Sequence, residues 1–336
     1  MYTTTFNLLY NILEKTQYHY PYALIKNDQV NIQLIDEGVV LCEPKRYDKE
    51  IILSAGIHGN ETAPIELLNI LLNEILMEKI IPQCKLLIIF GNPKAMRQQV
   101  RETAFNLNRL FLNGPKGNTY EHHRAKKLEH IIQKFFVSSS CTRYHYDFHT
   151  SIRGSIQPKF AIYPYHSQYM CRWQDLYLCQ LFQLDALVLS NTPTHTFSYY
   201  SSERFLAQAF TFELGKVNTF GNNDLEQFNA VIDTLRYLLS YNYLPIQPIG
   251  IDSLSVYQVV QVINKKNDTF SLLFDDNIEN FTAFKQNTPI AKDDTKTYSI
   301  LQDDDAILFP NQQVKIGERA LLIIRKTNQY DNDHFE

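Results

Sequence analysis

The pattern of apolar and polar positions separates the chain into two parts with different predicted structure. From residue 51 to about residue 240, short runs of β-branched and aromatic residues alternate with longer stretches in which apolar residues recur every three or four positions. The short runs predict buried strands, and the longer stretches predict helices with one apolar face. Their alternation is typical of an α/β domain in which helices cover a sheet.

The elements of this first part can be placed on the sequence. The runs that predict strands are 51–57, 84–90, 144–149, 160–163, 186–189 and 209–214. The stretches that predict helices are 64–76, 121–136 and 224–241. Gly91-Asn92-Pro93 ends the second strand, and the polar stretch that follows, as far as Gly117, predicts a long loop. Long ordered loops often carry functional residues.

The pattern changes after about residue 240. Pro245, Pro248 and Gly250 mark a boundary, and the strand-like runs beyond it alternate with turns rich in Asp and Asn. We therefore predict an α/β catalytic domain over residues 1–246 and a small β domain over residues 247–336. The acidic clusters of the second part lie between strand-like runs, where turns favour Asp, so we interpret them as turns and not as a cation site.

Composition and charge limit the classes of function. The chain has 336 residues, of which 44% are hydrophobic and 20% charged, as is typical of a folded globular protein. A formal net charge of −4 gives no attraction for polyanions, so we predict neither nucleic acid nor a membrane as a partner. No segment approaches the ~18 apolar residues of a membrane span, and no leader pattern opens the sequence, so we expect a cytoplasmic protein. The sequence does not indicate an oligomeric state.

His58 and Glu61 directly follow the predicted strand 51–57. A histidine and a carboxylate three residues apart on a tight turn can bind one face of a small cation and leave the other face for a third ligand and water. This arrangement predicts a catalytic zinc site whose third ligand comes from elsewhere in the chain. His122 and His123 have no carboxylate partner at such a spacing, so we predict that they are surface residues.

His149 is the predicted third ligand, because it ends the strand 144–149 and open α/β sheets place their active sites at the carboxyl ends of strands. His145 is an alternative four residues earlier. On a strand, however, the Cα atoms of these two histidines lie roughly 13 Å apart, so one ion cannot bind both. Asp147 shares a strand face with His149 and is a candidate to accept a hydrogen bond from it.

Glu213 lies near the end of the apolar run 209–214, where an unpaired buried carboxylate would be unfavourable. A glutamate beside an activated water is suited to take a proton from it and to return that proton to a leaving amine. A structural glutamate in a salt bridge is the alternative. The sequence has no Gly-x-Ser-x-Gly motif, so a serine hydrolase mechanism is not indicated.

The loop over residues 97–111 contains Arg101, Asn108 and Arg109. Their planar groups with several N–H donors suit carboxylates and a developing oxyanion. Arg153, four residues after the predicted third ligand, is a further candidate to hold an anionic group. The alternative is that these arginines belong to solvated basic loops.

Five motifs occur in order along the chain: His58-Gly-Asn-Glu61-Thr-Ala-Pro, Gly91-Asn-Pro, Asn106-Leu-Asn108-Arg109-Leu-Phe111, Phe148-His149-Thr150 with Arg153-Gly-Ser, and Phe212-Glu213-Leu-Gly215. Together they resemble the succinylglutamate desuccinylase and aspartoacylase family, a branch of the zinc carboxypeptidase-like hydrolases. The resemblance covers essentially residues 50–240, with a looser similarity over 309–319. It implies a zinc carboxypeptidase-like mixed sheet flanked by helices, followed by a small C-terminal β domain.

The resemblance also implies the roles of the residues nearest the metal. It assigns one Zn²⁺ per subunit to His58, Glu61 and His149, and it assigns Glu213 as the general base of a zinc-dependent amidohydrolase. The implied reaction is hydrolysis of N-succinyl-L-glutamate to succinate and L-glutamate, the last step of arginine catabolism by the succinyltransferase pathway. An aspartoacylase-like deacylation of another acidic N-acyl amino acid and a non-catalytic metal-binding relative are the alternatives.

In the loop, the resemblance assigns Arg101 to the scissile carbonyl and its oxyanion, and Asn108 with Arg109 to a carboxylate of the amino acid. The segment that contains Arg153 looks like the desuccinylase pattern, which favours succinylglutamate over acetylaspartate. One position departs from the family. Asn106 stands where relatives usually carry Asp. If that Asp orients the neighbouring arginine, Asn106 keeps the hydrogen bond but loses the negative charge, which bears on the strength of carboxylate binding.

Overall fold

Among the residues that the structure describes, twelve strands form one mixed sheet, and helices pack on both of its faces. The structure, a computed structural model, describes residues 6–166, 171–241, 243–244 and 254–327. A second sheet of three antiparallel strands lies in the C-terminal part. The predicted fold class, an α/β protein with a mixed sheet flanked by helices and further β structure at the C-terminus, is confirmed.

The helices and strands predicted between residues 51 and 241 are present, with ends that differ by a few residues. The α-helices are α1 (Leu8–Leu13), α2 (Thr62–Leu76), α3 (Pro93–Gln98), α4 (Tyr120–Phe135), α5 (Trp173–Leu181), α6 (Phe197–Phe205) and α7 (Asn229–Tyr241). Short 3-10 helices cover Leu107–Arg109 and Leu225–Phe228. The strands are β1 (Tyr22–Lys26), β2 (Val30–Asp36), β3 (Val39–Pro44), β4 (Lys49–Ala55), β5 (Lys85–Phe90), β6 (Thr142–Ser151), β7 (Lys159–Tyr163), β8 (Ala186–Leu189), β9 (Gln208–Lys216), β10 (Ser255–Asn264), β11 (Ser271–Leu272), β12 (Pro289–Asp293), β13 (Lys296–Ser299), β14 (Ala306–Leu308) and β15 (Arg319–Lys326).

The centre of the large sheet is parallel. Its strand order is β1-β2-β3-β5-β4-β6-β9-β7-β8-β10-β15-β14. β4 is parallel to β5 and to β6, and β6 is parallel to β9. Since these strands are covered on both faces, β4 and β5 are almost continuous apolar runs without the alternation of half-exposed strands. The carboxyl ends of β4, β6 and β9 therefore meet at one edge of the sheet.

The two faces of the sheet pack into separate apolar cores. One core contains residues of α2, α5 and α7, including Leu68, Leu178 and Leu235. The other contains residues of α4 and α6, including Leu128 and Phe197. Close packing on both sides restricts the movement of the central strands, so the positions of their carboxyl ends are well defined.

The sheet extends on both sides beyond the elements predicted between residues 51 and 241. β1, β2 and β3 form an antiparallel meander that joins β5 on one side, and these three strands were not predicted. On the other side, β10 pairs in parallel with β8, and β15 pairs with β10. Strands of the predicted C-terminal β domain thus continue the central sheet.

The predicted boundary between residues 246 and 247 lies outside the described residues, and the division into two domains stays a prediction. Within the described ranges, no helix has both the length and the apolar character that crossing a bilayer requires.

Candidate active site

The register of the parallel strands brings the predicted site residues to one edge of the sheet. His58 and Glu61 lie in the turn between β4 and α2, His149 lies near the end of β6, and Glu213 lies near the end of β9. In the β6–β9 pair, His149 is directly opposite Glu213. Three segments that are far apart in the sequence thus contribute to one site.

The turn that carries His58 and Glu61 packs tightly against α3. Only glycine fits at position 59, because a Cβ atom on Gly59 would lie 2.2 Å from the backbone carbonyl carbon of Ala95. The N–H of Gly59 also donates to the carbonyl of Arg101 at 3.2 Å. Glu61 is the N-cap residue of α2, where the helix dipole favours a negative charge.

His58, Glu61 and His149 form a compact cluster of possible metal ligands. Oε1 of Glu61 lies 2.8 Å from Nδ1 of His58, and Oε2 lies 2.8 Å from Nδ1 of His149. One ligand atom from each of the three buried residues lies within 4.8 Å of the others. Tetrahedral zinc with bonds of about 2.0 to 2.2 Å needs ligand atoms roughly 3.4 Å apart. The cluster therefore has the size and the donor set for Zn²⁺.

Each histidine of the cluster has a polar partner on its other ring nitrogen. Nε2 of His149 donates to Oδ2 of Asp147 at 2.8 Å, which confirms the predicted hydrogen bond between these two residues. Nε2 of His58 lies 3.0 Å from Oδ1 of Asn106. Both contacts orient the Nδ1 atoms towards Glu61. The partner of His149 is a carboxylate, whereas the partner of His58 is a neutral amide.

Burial and neighbouring charges act against each other within the cluster. Burial raises the pKa of Glu61, but His58 and His149 outweigh it and hold this pKa well below its ordinary value. Burial, followed by the charge of Arg101, lowers the pKa of His58 to about 4. Burial lowers the pKa of His149, but Asp147 and Glu61 outweigh it and raise this pKa well above its ordinary value. An ionised Glu61 and a neutral His58 are the forms that bind a cation.

Glu213 is buried, and its Oε2 atom has no hydrogen-bond partner among the described residues. Burial raises the pKa of Glu213 to about 7, against the opposing charge of His149. A carboxyl group with a pKa near neutrality can both accept and release a proton at physiological pH. The structure therefore brings a residue with the properties of a general base next to the cluster.

The loop over residues 97–111, called the predicted substrate loop below, reaches the cluster through Arg101. Nη1 of Arg101 donates to Oε1 of Glu61 at 2.7 Å. Asn108 is buried, and its Oδ1 accepts a hydrogen bond from the N–H of Phe197 at the start of α6, at 2.8 Å. Nη1 of Arg109 donates to the carbonyl of Asn108 at 2.9 Å. The loop is thus anchored to α6 and places Arg101 beside the candidate metal ligands.

Arg153 contacts the C-terminal part of the chain. Its Nη1 donates to the backbone carbonyls of Asp276 and Ile278. These bonds connect the loop after β6 to the segment that precedes β12. The role of Arg153 in binding an anionic group stays a prediction.

The prediction that His122 is a surface residue is wrong. His122 is buried, whereas His123 is exposed. The ring of His122 lies 5.1 Å from that of Phe105, and its Nδ1 lies 2.7 Å from the hydroxyl of Thr119, the N-cap residue of α4. The reason is that the first turn of α4 packs against the predicted substrate loop. His122 thereby contacts Phe105, the residue before Asn106.

Sequence reasoning assigned no role to Arg319, the first residue of β15, which lies near the site. Its guanidinium lies over the ring of Phe309, 5.2 Å from the centroid, and the Phe309 ring lies 5.7 Å from that of Phe160. Phe160 is paired with Glu213 in the β7–β9 register. Burial and the charge of Arg109 lower the pKa of Arg319 to about 9, although Glu213 opposes them. The faint signal in the sequence was the similarity over 309–319.

Arg319 also has a hydrogen-bonding group without a partner. Its Nε atom is buried and makes no hydrogen bond to any described residue. The segment before it touches the predicted substrate loop, since Nζ of Lys315 lies 4.4 Å from the centroid of the Phe105 ring. The C-terminal part of the chain therefore contributes to the surroundings of the site.

Comparisons with known proteins give matches along most of the chain. Residues 47–239 match the model of the succinylglutamate desuccinylase/aspartoacylase catalytic domain, and residues 252–327 match the AstE/AspA barrel-sandwich hybrid domain. The chain is 42% identical over 316 residues to the succinylglutamate desuccinylase of Pseudoalteromonas atlantica, covering 91% of this chain and 90% of that protein. It is 37% identical over 310 residues to the succinylglutamate desuccinylase of a Shewanella species, with 90% of each protein covered.

Solved structures give the same result. The succinylglutamate desuccinylase from Vibrio cholerae superposes with a TM-score of 0.89 at 32% identity, and 98% of both chains is covered. The one from Vibrio parahaemolyticus superposes with a TM-score of 0.87 at 32% identity, and 96% of both chains is covered. The extent of the matched sequence and the match of both family models lead to one conclusion: the chain belongs to the succinylglutamate desuccinylase/aspartoacylase family.

Proposed function

We propose that this protein hydrolyses N-succinyl-L-glutamate to succinate and L-glutamate. The observation that carries the proposal is the buried cluster of His58, Glu61 and His149 directly beside Glu213. The names of the similar relatives support the substrate. We further propose that the reaction is the last step of arginine catabolism by the succinyltransferase pathway and that it takes place in the cytoplasm.

We propose one Zn²⁺ per subunit as the cofactor, held by His58, Glu61 and His149. Two imidazole nitrogens and one carboxylate are a typical ligand set of hydrolytic zinc sites. Oε2 of the neighbouring Glu213 has no hydrogen-bond partner within the described part of the chain, which supports a polar occupant at this edge of the sheet. When bound, zinc supplies a Lewis acid for the scissile carbonyl and makes a water molecule more acidic.

Glu213 moves the proton in the proposed reaction. Its carboxylate takes a proton from the attacking water as the water oxygen adds to the succinyl carbonyl carbon. The same proton then passes to the amide nitrogen as the C–N bond breaks, so that L-glutamate leaves as an amine. Arg101, which donates to Glu61, lies close enough to the ligands to direct a second N–H towards the carbonyl oxygen.

The charge of the site supports an acidic substrate. N-Succinyl-L-glutamate carries three carboxylates, whereas the chain as a whole has a net charge of −4, so local positive charge must compensate. Burial, followed by the positive charge of Arg101, lowers the pKa of Arg109. A carboxylate placed between such cations relieves their repulsion. We propose that Asn108 and Arg109 bind a carboxylate of the glutamate, and that Arg319 and Arg153 are available for the others.

A substrate panel with metal analysis tests the proposal. Protein purified with one equivalent of Zn²⁺ is expected to release glutamate from N-succinyl-L-glutamate much faster than it releases amino acid from N-acetyl-L-glutamate or N-acetyl-L-aspartate. Glu213→Gln should keep the metal and lose activity by about 10²–10⁴-fold. Glu226→Gln, at an exposed position, is the matched control and should retain activity.

Other outcomes identify the alternatives. Faster turnover of N-acetyl-L-aspartate would show an aspartoacylase-like specificity. Stoichiometric metal without turnover of any acidic N-acyl amino acid would show a non-catalytic relative. Unchanged hydrolysis by metal-loaded Glu213→Gln would exclude the assigned base.

A further inference from the structure

A chain of buried hydrogen bonds leads from the metal-ligand cluster into the interior of the sheet. Beyond His149 and Asp147, the hydroxyl of Ser54 donates to Oδ1 of Asp147 at 2.6 Å. Nε2 of His145 lies 2.9 Å from the Ser54 hydroxyl, and Nδ1 of His145 lies 2.7 Å from the hydroxyl of Ser201. All five side chains belong to residues with at most 2% exposure, so water does not compete for these bonds.

The sheet geometry explains why these residues meet. His145, Asp147 and His149 occupy alternate positions of β6, so their side chains share one face of the strand. Ser54 is the residue of β4 that is directly opposite Asp147 in the parallel register. α6 packs on β6 and supplies Ser201. Ser54 is a polar residue that follows the apolar run of β4, at a buried position where a hydroxyl without a partner would be unfavourable.

When Asp147 is a carboxylate, each donor and each acceptor in this series of hydrogen bonds can be assigned in only one way. Both oxygens of Asp147 accept, so the single hydroxyl proton of Ser54 points to Asp147. Ser54 must then accept from His145, which places a proton on Nε2 of His145. Burial lowers the pKa of His145 to about 4, so the ring is neutral and its Nδ1 accepts from Ser201. From Ser201 to Asp147, each proton therefore points towards the cluster, and the Nε2 proton of His149 meets Asp147 from the opposite side.

This alignment has a consequence for His149. Asp147 is held at Oδ1 by Ser54, and its Oδ2 receives the N–H at Nε2 of His149. Because Asp147 keeps the proton on Nε2, Nδ1 of His149 is the nitrogen that would give up its proton and bind a metal beside Glu61. If Ser54 lost its hydroxyl, Oδ1 of Asp147 would be buried without a partner, and the carboxylate would be free to rotate away from His149.

We infer that Ser54, His145 and Ser201 are positioning residues of the metal centre, which act through Asp147 to hold His149 in the orientation and tautomer that bind the metal. The inference rests on the proposed function only for the presence of a metal site. It does not depend on the substrate.

The test is a double-mutant cycle read out as Zn²⁺ affinity, measured on the full chain by competition with a chelating dye. Asp147→Asn is expected to weaken Zn²⁺ binding by 10- to 100-fold, as is usual for residues that support a ligating histidine. Ser54→Ala should weaken it by about tenfold in the wild-type background and by less than twofold in the Asp147→Asn background, because Ser54 acts through Asp147. Equal effects of Ser54→Ala in both backgrounds, or no effect in either, would overturn the inference.

Matched variants separate positioning from loss of fold. Ser198→Ala removes a buried hydroxyl from the same helix, where it is bonded to Thr211 at 2.7 Å, and it should leave the Zn²⁺ affinity within twofold. His145→Leu should weaken Zn²⁺ binding several-fold. His145→Gln, whose amide can donate to Ser54, should recover most of that loss. Two outcomes would contradict the proposed series of hydrogen bonds. One is an equal loss of Zn²⁺ affinity in His145→Gln and His145→Leu, and the other is a loss in Ser198→Ala as large as that in Ser201→Ala.

Long-range proton–nitrogen NMR of protein with ¹⁵N-labelled histidine gives a second readout. The expected spectrum has His145 as the neutral tautomer with its proton on Nε2, and the Nδ1–H tautomer would overturn the assigned direction. These measurements and the substrate panel can fail separately. If Ser54 and Asp147 are coupled in Zn²⁺ affinity but no substrate is turned over, the proposed substrate is refuted and the positioning residues stand. If the substrate is turned over without that coupling, the positioning residues are refuted and the proposed substrate stands.

Discussion

Replacing Glu213 by glutamine is predicted to stabilise the metal-free protein at alkaline pH while it abolishes activity. Glu213 is buried, and its pKa is raised to about 7 in the folded protein from an ordinary value of 4.5, chiefly by burial. Between pH 4.5 and about pH 7, the folded protein keeps a proton on Glu213 that the unfolded chain has released. Stability therefore falls as the pH rises through this window, and the full destabilisation is present above pH 7.

The magnitude follows from the two pKa values. A difference of one pKa unit corresponds to about 1.4 kcal/mol, so the change from 4.5 to about 7 corresponds to roughly 3 kcal/mol of destabilisation by the ionised carboxylate. Most of this, roughly 2 to 3 kcal/mol, develops between pH 5 and pH 8. Glutamine has a similar shape and no charge at either pH. The variant should therefore gain that amount relative to the wild type when the pH is raised from 5 to 8.

Urea unfolding with a metal chelator present, at pH 5 and pH 8, measures this difference for both proteins. Effects of pH on groups that do not interact with Glu213 cancel in the comparison of variant and wild type. Glu226→Gln, at an exposed position, is the control and should change little at either pH. A stability difference between Glu213→Gln and wild type that is the same at pH 5 and pH 8 would show that burial does not penalise this carboxylate, and the argument for Glu213 as a neutral-pH base would fail.

Three further predictions concern the arginines and Asn106. Arg101→Ala should lower kcat by about 10²–10³-fold, as the loss of an oxyanion donor does, while Arg109→Ala should mainly raise KM; steady-state kinetics that show equal, negligible effects would exclude both roles. Arg319→Gln should lower kcat/KM for N-succinyl-L-glutamate at least tenfold and reduce its preference over N-acetyl-L-glutamate, and an unchanged ratio would mean that Arg319 does not meet the succinyl carboxylate. Asn106→Asp places a carboxylate behind His58 and should tighten Zn²⁺ binding by about tenfold in a chelator competition, whereas weaker binding would contradict the role of Asn106 as a partner of His58.

The sequence predicted the central elements because their signals are local. Fully buried parallel strands are continuous apolar runs, and the runs 51–57, 84–90 and 186–189 correspond to β4, β5 and β8 within two residues at each end. Ligand spacing is also local, since His58 and Glu61 share one turn. Strands β1, β2 and β3 were missed although β2 alternates between buried and half-buried positions, a pattern typical of a strand at the side of a sheet.

Contacts between distant segments could not be predicted from spacing. The His145-x-Asp147-x-His149 spacing places three side chains on one strand face, but only the β4–β6 register shows that Ser54 lies opposite Asp147 and completes the hydrogen bonds. In the same way, the sequence showed that Asn106 departs from its relatives, and the structure shows that it contacts His58. The burial of His122 depends on the packing of α4 against the predicted substrate loop, which no periodicity reports.

The sequence by itself determined the fold class, the family resemblance and the candidate metal ligands, because strand burial, helix periodicity and ligand spacing are properties of short segments. The tertiary structure decided which distant groups act on those residues. It brought Glu213 opposite His149, aligned Ser54 and His145 behind Asp147, and placed Arg319 of the C-terminal part near Arg109. The physical reason is that sheet register and burial set the distances and the dielectric surroundings of charged groups, and both depend on strands that are separated by many residues in the chain.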